Sequence, residues 1–308
     1  MPISTIDTST SFILGPGRSG TTLFYKLLSL HPDVGYFNNY MAKFCGIPKL
    51  AILNRGIRDR IDLKRWSWFD TAGGAYADSG RPFLRKITPT PSECEPLYSR
   101  CGVPDTPPSG SPLSSDVEDR LRSAFEVARA SGGTPTLVSK RTANNRRVFQ
   151  LHHAFPRARF ISIIRDGRAV ASSLLQVNWW NKHILYWNGK TPEETVADGC
   201  SDLEIAARNW LEEMRSMQDG LHAVPKSQRL EIRYEELLAD PRRELTRALS
   251  FIGIDPERFS HYWDVVKELE LRTRPESWRT RWTEFEISSV ERIQGSMLTE
   301  LDYKPSRP

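Results

Sequence analysis

Four short stretches of the chain carry the apolar density of strands: Ser11–Leu14, Thr136–Val138, Arg159–Ile164 and Arg229–Tyr234. The third, Arg159-Phe160-Ile161-Ser162-Ile163-Ile164, is nearly continuous, which suits a parallel sheet covered on both faces. Between them the spacing of apolar residues becomes helical. Leu23, Phe24, Leu27 and Leu28 share one face of a helix that His31-Pro32-Asp33 ends, because the residue before a proline is pushed out of the α region. Asp116–Ala130 sets Leu121, Phe125, Val127 and Ala128 on its apolar side, and Arg146–Phe155 is amphipathic. Further helices start near Arg168 and span Asp202–Gly220 and Pro241–Phe251, and the last third is helical apart from Arg272–Trp282. Strands alternating with helices predict right-handed crossovers and an α/β fold of three layers, α/β/α, around a central, mainly parallel sheet. No repeat or compositional break divides it, so a single domain, 1–308, is expected. Thr88–Ser115 is rich in Pro, Ser and Gly and reads as a surface loop, either a lid or an inert insertion.

Composition adds little against this picture and excludes some classes. The chain has 308 residues and a formal net charge of +5. That modest excess fits anionic small ligands and is too weak to imply nucleic acid. No run is long enough to span a bilayer. Residues 1–11 lack the basic start and apolar core of a signal peptide, so a cytoplasmic protein is expected. The four cysteines, Cys45, Cys94, Cys101 and Cys200, have no zinc-ligand or redox spacing and read as reduced thiols.

The first strand runs into Gly15-Pro16-Gly17-Arg18-Ser19-Gly20-Thr21-Thr22 and then a helix. Strand, glycine loop and helix together make a phosphate-binding loop, whose N–H groups curl around an anion at a helix N-terminus. A nucleotide triphosphatase has Lys where this chain has Thr21, so the ligand is expected to carry less charge than a triphosphate. Arg165 stands at the carboxyl end of the strongest strand, where doubly wound sheets bind ligands. Ser173 follows two helical turns later, and Asp166 is placed to cap the helix between. An arginine fork with a hydroxyl suits a terminal phosphate. Alternatively, Arg165 pairs with a carboxylate at the strand end; Arg168 is either a second anion contact or an outward residue. Taken with the loop, Arg165 and Ser173 point to a nucleotide with phosphates at two separate places.

At this point the sequence resembles the sulfotransferase superfamily, which has the P-loop fold and uses 3′-phosphoadenosine 5′-phosphosulfate. Gly17–Leu23, continuing to Leu28-Ser29-Leu30-His31-Pro32-Asp33-Val34, looks like that family's 5′-phosphosulfate loop and first helix. Phe160–Ser173 resembles its 3′-phosphate motif, Leu137–Lys140 with Asn144 its central strand, and Arg233-Tyr234-Glu235-Glu236-Leu237 with Asp240-Pro241 a later segment. Phe251–Ile254 and Trp278-Arg279 also match, and the likeness is weakest over 39–131. Arg-Ser-Gly-Thr-Thr brings the chain nearest the bacterial-type, carbohydrate and tyrosyl-protein branches. The absence of a histidine in Lys140-Arg141-Thr142 argues against an aryl sulfotransferase with a histidine base.

The resemblance implies in-line sulfuryl transfer from that donor to a hydroxyl or amine of a carbohydrate, lipid or other small acceptor, with no metal required. It assigns Arg18 to the sulfuryl and 5′-phosphate oxygens and Ser19, Gly20, Thr21 and Thr22 to the 5′-phosphate. Arg165 and Ser173 take the 3′-phosphate, and Lys140 the bridging or sulfuryl oxygen. Arg274, Trp278 and Arg279 are expected to fold over the nucleotide. The related branches place a glutamate shortly after His-Pro, whereas Tyr36-Phe37-Asn38-Asn39-Tyr40 holds no carboxylate. Either another group does the work, with Asp70, Glu93, His152 and Lys140 open as the base, or proton removal is less important for this acceptor. Trp66, Trp68, Trp179, Trp180 and Trp187 either line an acceptor pocket or pack the core. The rivals are a non-catalytic binder of adenosine bisphosphate or glycan and, less favoured, a P-loop small-molecule kinase.

Overall fold

The structure, a computed structural model, describes residues 10–69, 86–271 and 277–306. Five strands, β1 (Thr10–Leu14), β2 (Val34–Tyr36), β3 (Thr136–Lys140), β4 (Arg159–Ile164) and β5 (Arg229–Arg233), form a sheet in the order β2-β3-β1-β4-β5. Every pairing is parallel, and the register sets Ile13 beside Lys140 and Ile164 beside Arg233. Four strands are the expected ones. β2 is the addition: three residues, one of them Gly35, are too few to show a period.

Alternation along β1 explains why both faces are covered. Phe12 and Leu14 point into one core with Phe125, Leu151, Val170, Trp210 and Met214, whereas Ile13 points into the other with Phe24, Leu27, Ile232 and Leu249. Helices Ser115–Gly132, Val148–Ala154, Gly167–Leu174 and Asp202–His222 thus cover one face. Helices Thr21–Leu30, Pro241–Phe251 and Ser260–Glu268 cover the other, giving three layers. Phe12 sits within 5.4–5.7 Å of the Phe125, Phe155 and Phe160 rings, which ties the sheet to two helices at once.

The segment 88–115 departs from the expected surface loop. Its first half holds helix Glu95–Cys101, with Leu97 and Tyr98 fully buried. The Tyr98 hydroxyl lies 2.6 Å from Ser139 Oγ on β3 and accepts from Asn144 at 3.1 Å, so this helix is part of the core. Proline and serine in the sequence hid it, because only seven residues are helical and two apolar side chains suffice to dock them. The second half, past Pro104, is mostly exposed, as a loop would be. Among the described residues no helix is long and apolar enough to cross a membrane. All four cysteines are free thiols.

Candidate functional site

β1 occupies the middle of the sheet, with β3 on one side and β4 on the other, and the loop after it opens at the switch point between them. The loop's shape requires its glycines. Gly15 has φ +141°, and a Cβ there would lie 2.7 Å from the Ile163 carbonyl oxygen. Gly20 has φ +88°, and its Cβ would lie 2.3 Å from the Tyr234 ring. Arg18 itself is left-handed at φ 69°. Left-handed residues interleaved with ordinary ones turn successive N–H groups to one side, the geometry of an anion-binding nest.

The helix that follows, Thr21–Leu30, starts with no capping side chain and no acidic residue in its first turn. Some other helices of this chain are closed by a side chain. Pro192–Ala197, Asp202–His222 and Glu284–Glu300 open on Thr or Ser with a reciprocal Glu, and Asp166 caps Gly167–Leu174 as expected. Uncapped N–H groups at a helix start are ready-made anion donors. Ser19 Oγ is buried in the loop and has no partner among the described residues. The loop is braced from below: Gly15 N donates to Asn145 Oδ1 at 2.9 Å, and Asn145 Nδ2 donates to Glu213 at 2.7 Å. Burial pushes the Glu213 carboxyl above its ordinary value, against the pull of Arg146.

Arg165, Ser173 and Arg18, far apart in sequence, meet beside this loop. Arg18 Nε donates to Ser173 Oγ at 3.1 Å, and Arg165 donates to the Arg18 carbonyl at 2.7 Å. The Arg165 guanidinium stacks over the Tyr234 ring at 4.5 Å. Burial, helped by repulsion from Arg18, lowers its pKa from the ordinary value. Among the described residues no carboxylate lies within ion-pair distance of Arg165, although Glu235 and Asp166 attract it from further away. Arg168 is neither an anion contact nor an outward residue. It is 2 % exposed, bound by Asp166, Glu291 and the Lys304 carbonyl, and fastens its helix to the C-terminal one.

On the other side of the loop, Lys140 ends β3. Its Nζ donates to Thr22 Oγ1 at 3.3 Å and to Glu93. Glu93 also accepts from Arg141 at 2.8 Å, and Glu95 and Asp105 extend the ion pairs to Arg141, Arg146 and Arg147. Burial would raise the Glu93 carboxyl, but Lys140 and Arg141 outweigh it and hold the pKa at about 2.

The remaining candidates separate clearly. His152 meets Phe160 edge-on at 6.3 Å, at the start of β4 and so at the opposite end of that strand from Arg165. Asp70, Arg272 and Arg274 lie outside the described residues. Trp278 is fully buried, with the Arg168 and Arg279 guanidiniums over its ring at 4.6 and 4.5 Å, so it anchors its segment to helix Gly167–Leu174. Arg281 adds a 3.3 Å bond to Ser172 of that helix. Trp68 and Trp180 are core residues, while Trp66 and Trp179 are half exposed. Sequence reasoning missed the roles of Asn145, Glu213 and Tyr234 around the loop; their contacts span the whole chain and leave no local signal.

Comparison with known proteins agrees with this architecture. The Sulfotransferase family profile matches residues 111–258. The chain is 26% identical over 119 residues to the omega-hydroxy-beta-dihydromenaquinone-9 sulfotransferase Stf3 of Mycobacterium bovis, a match covering 39% of this chain and 29% of that protein. It is 22% identical to protein-tyrosine sulfotransferase A of Caenorhabditis elegans, covering 84% of this chain and 54% of the relative. It is 24% identical to the nodulation protein NoeE of Sinorhizobium fredii, covering 96% and 66%. The chain thus spans between about a third and two thirds of the length of these relatives. Among solved structures, the sulfotransferase STF9 of Mycobacterium avium superposes with a TM-score of 0.56 at 13% identity, covering 96% of this chain and 77% of that one. At that identity the superposition speaks for the fold. Loop, strand order, profile and relatives agree in their likeness to the sulfotransferase superfamily.

Proposed function

We infer that this protein is an enzyme that moves the sulfuryl group of 3′-phosphoadenosine 5′-phosphosulfate to a hydroxyl, or an amine, of a small-molecule, glycan or lipid acceptor. The observation that carries the reading is Arg165: a largely buried guanidinium with no carboxylate at ion-pair distance among the described residues, beside Arg18, Ser173 and an uncapped helix start. A buried cation without a counterion is costly unless a ligand supplies one. The donor's chemistry fits what surrounds it. Ser19, Gly20, Thr21 and Thr22 offer N–H and hydroxyl donors to a 5′-phosphate, and Arg165 with Ser173 a fork and a hydroxyl to a 3′-phosphate. The buried Ser19 hydroxyl lacks an acceptor that a phosphate oxygen would supply.

In sulfuryl transfer the leaving phosphate gains negative charge, so fixed cations and N–H groups near it contribute most. Arg18 and the loop stabilise that charge, and Lys140, within reach of Thr22, does so at the bridging or sulfuryl oxygen. Arg279 covers the nucleotide from a segment that Trp278 anchors. The names of the relatives include a hydroxylated menaquinone and protein tyrosine, both hydroxyl bearers, which supports a hydroxyl acceptor.

Isothermal titration tests the donor half: adenosine 3′,5′-bisphosphate binds, and adenosine triphosphate binds much more weakly. Transfer of label from the 35S donor across a panel of alcohols, phenols, glycans and lipids then separates an enzyme from a binder. Failure of the bisphosphate to bind sinks the reading.

A further inference from the structure

The stretch where the related branches place a carboxylate holds two asparagines, and both are occupied in building the chain. Asn38 caps the short helix Asn39–Lys43 through Met41 N and donates to Leu50 O and Asn54 Oδ1. Asn39 bonds Thr90 in both directions: its N–H donates to Thr90 O at 2.9 Å, and Thr90 N donates to its Oδ1 at 3.0 Å. Ser92 N donates to Phe37 O at 2.8 Å, and Asn38 and Pro91 form an antiparallel bridge. Residues 90–92 therefore lie along 37–39 as a short ribbon, and the next residue, Glu93, arrives at Lys140.

Lys140 stands between that carboxylate and the loop, with one bond to Glu93 and one to Thr22. Thr142 N approaches the second Glu93 oxygen at 3.5 Å, and Arg141 holds it at 2.8 Å. An anion entering beside Thr22 competes with Glu93 for the same Nζ. When the lysine turns to it, one carboxylate oxygen loses its partner while Arg141 keeps the side chain in place. A carboxylate paired to two cations is a poor base, and losing one of them raises its basicity.

We propose that Glu93 takes the proton from the acceptor's hydroxyl, freed for this when the bound donor draws Lys140 away. This rests on the sulfuryl-transfer reading above. In the step, the acceptor O–H bond breaks and its proton passes to the Glu93 carboxylate. The acceptor oxygen bonds to sulfur, and the bond from sulfur to the 5′-phosphate oxygen breaks. That electron pair leaves on adenosine 3′,5′-bisphosphate.

The test uses the full chain with Glu93→Gln and Glu93→Asp, titrated with adenosine 3′,5′-bisphosphate and assayed for transfer of 35S label to the acceptor panel and to water. The Gln variant should bind the bisphosphate at least as tightly as the unaltered chain, which also reports that it is folded. Its kcat should fall about 100-fold or more, the range of a lost general base, with donor KM little changed. Asp should recover part of the rate, and the Gln deficit should shrink for electron-poor phenols, which lose their proton unaided. Transfer by the Gln variant at the unaltered rate would overturn the proposal. So would a tenfold or greater loss of bisphosphate affinity (about 1.4 kcal/mol), since Glu93 would then belong to the donor's cradle. A chain that binds the bisphosphate but passes label to no acceptor, water included, overturns it too. A chain that does not bind the bisphosphate overturns the sulfuryl-transfer reading itself.

Discussion

The two halves of the sheet's carboxyl edge treat positive charge in opposite ways. On the β4 side, Arg165 is largely buried against a carbonyl and an aromatic ring, with no ion pair among the described residues. On the β3 side, Lys140, Arg141, Arg146 and Arg147 are matched by Glu93, Glu95, Asp105 and Glu213. On the proposed reading the first half receives charge from outside, whereas the second is neutralised within the chain until a donor draws on Lys140. Buried cations left unpaired imply a ligand more strongly than do the same residues paired.

The comparison breaks first at Arg165. Arg165→Ala should weaken adenosine 3′,5′-bisphosphate binding by roughly 1.5–3 kcal/mol, the range for a hydrogen bond to a charged group, and adenosine 5′-phosphate binding far less. Calorimetry on both nucleotides checks this; equal losses would mean that Arg165 does not face the 3′-phosphate. Gly20→Ala forces a left-handed alanine at φ +88° against the Tyr234 ring, which costs about 1–2 kcal/mol before any ring movement. Its melting temperature should fall by several degrees, with bisphosphate affinity falling alongside; an unchanged melt would show that the loop tolerates another shape. Ser173→Ala removes one neutral hydroxyl from the proposed 3′-phosphate site, together with the acceptor of Arg18 Nε, and should cost about 0.5–1.5 kcal/mol in bisphosphate binding.

Acid titration sharpens the paired half. The folded Glu93 carboxyl, at about 2, lies below its unfolded value near 4.5, so its contribution to stability is present above 4.5 and is lost as pH falls from there towards 2. Urea unfolding at stepped pH should therefore show a shallower acid loss in Glu93→Gln than in the unaltered chain. The difference is modest because the side chain is 35% exposed and solvent screens the pairs. Parallel curves would mean that the pairing contributes nothing.

What could be read from the sequence followed from how local each signal was. β1, β3, β4 and β5 were legible because apolar runs in a doubly covered sheet need no partner to be recognised. β2 was not, since Val34-Gly35-Tyr36 is too short for a pattern and is a strand only because β3 lies beside it. Arg165 and Ser173 were legible because one helix fixes their spacing. The bond of Gly15 to Asn145, across 130 residues, was not. Glu93 sits in a stretch whose composition said loop, and its meeting with Lys140 depends on the ribbon that Asn39 and Thr90 build. Arg168 misled for the opposite reason: it lies close to Arg165 in sequence but is turned into the packing of the C-terminal helix.

The bond from Arg165 to the Arg18 carbonyl reaches beyond affinity. It ties down the loop's own carbonyl and, with Asn145 bonded to Gly15, braces the backbone from two sides without any ligand. A nucleotide then meets a receptor whose ordering entropy was already lost in folding. Association should be paced by diffusion and its salt dependence, not by a slow rearrangement, and the loop amides should resist hydrogen exchange even in the nucleotide-free protein.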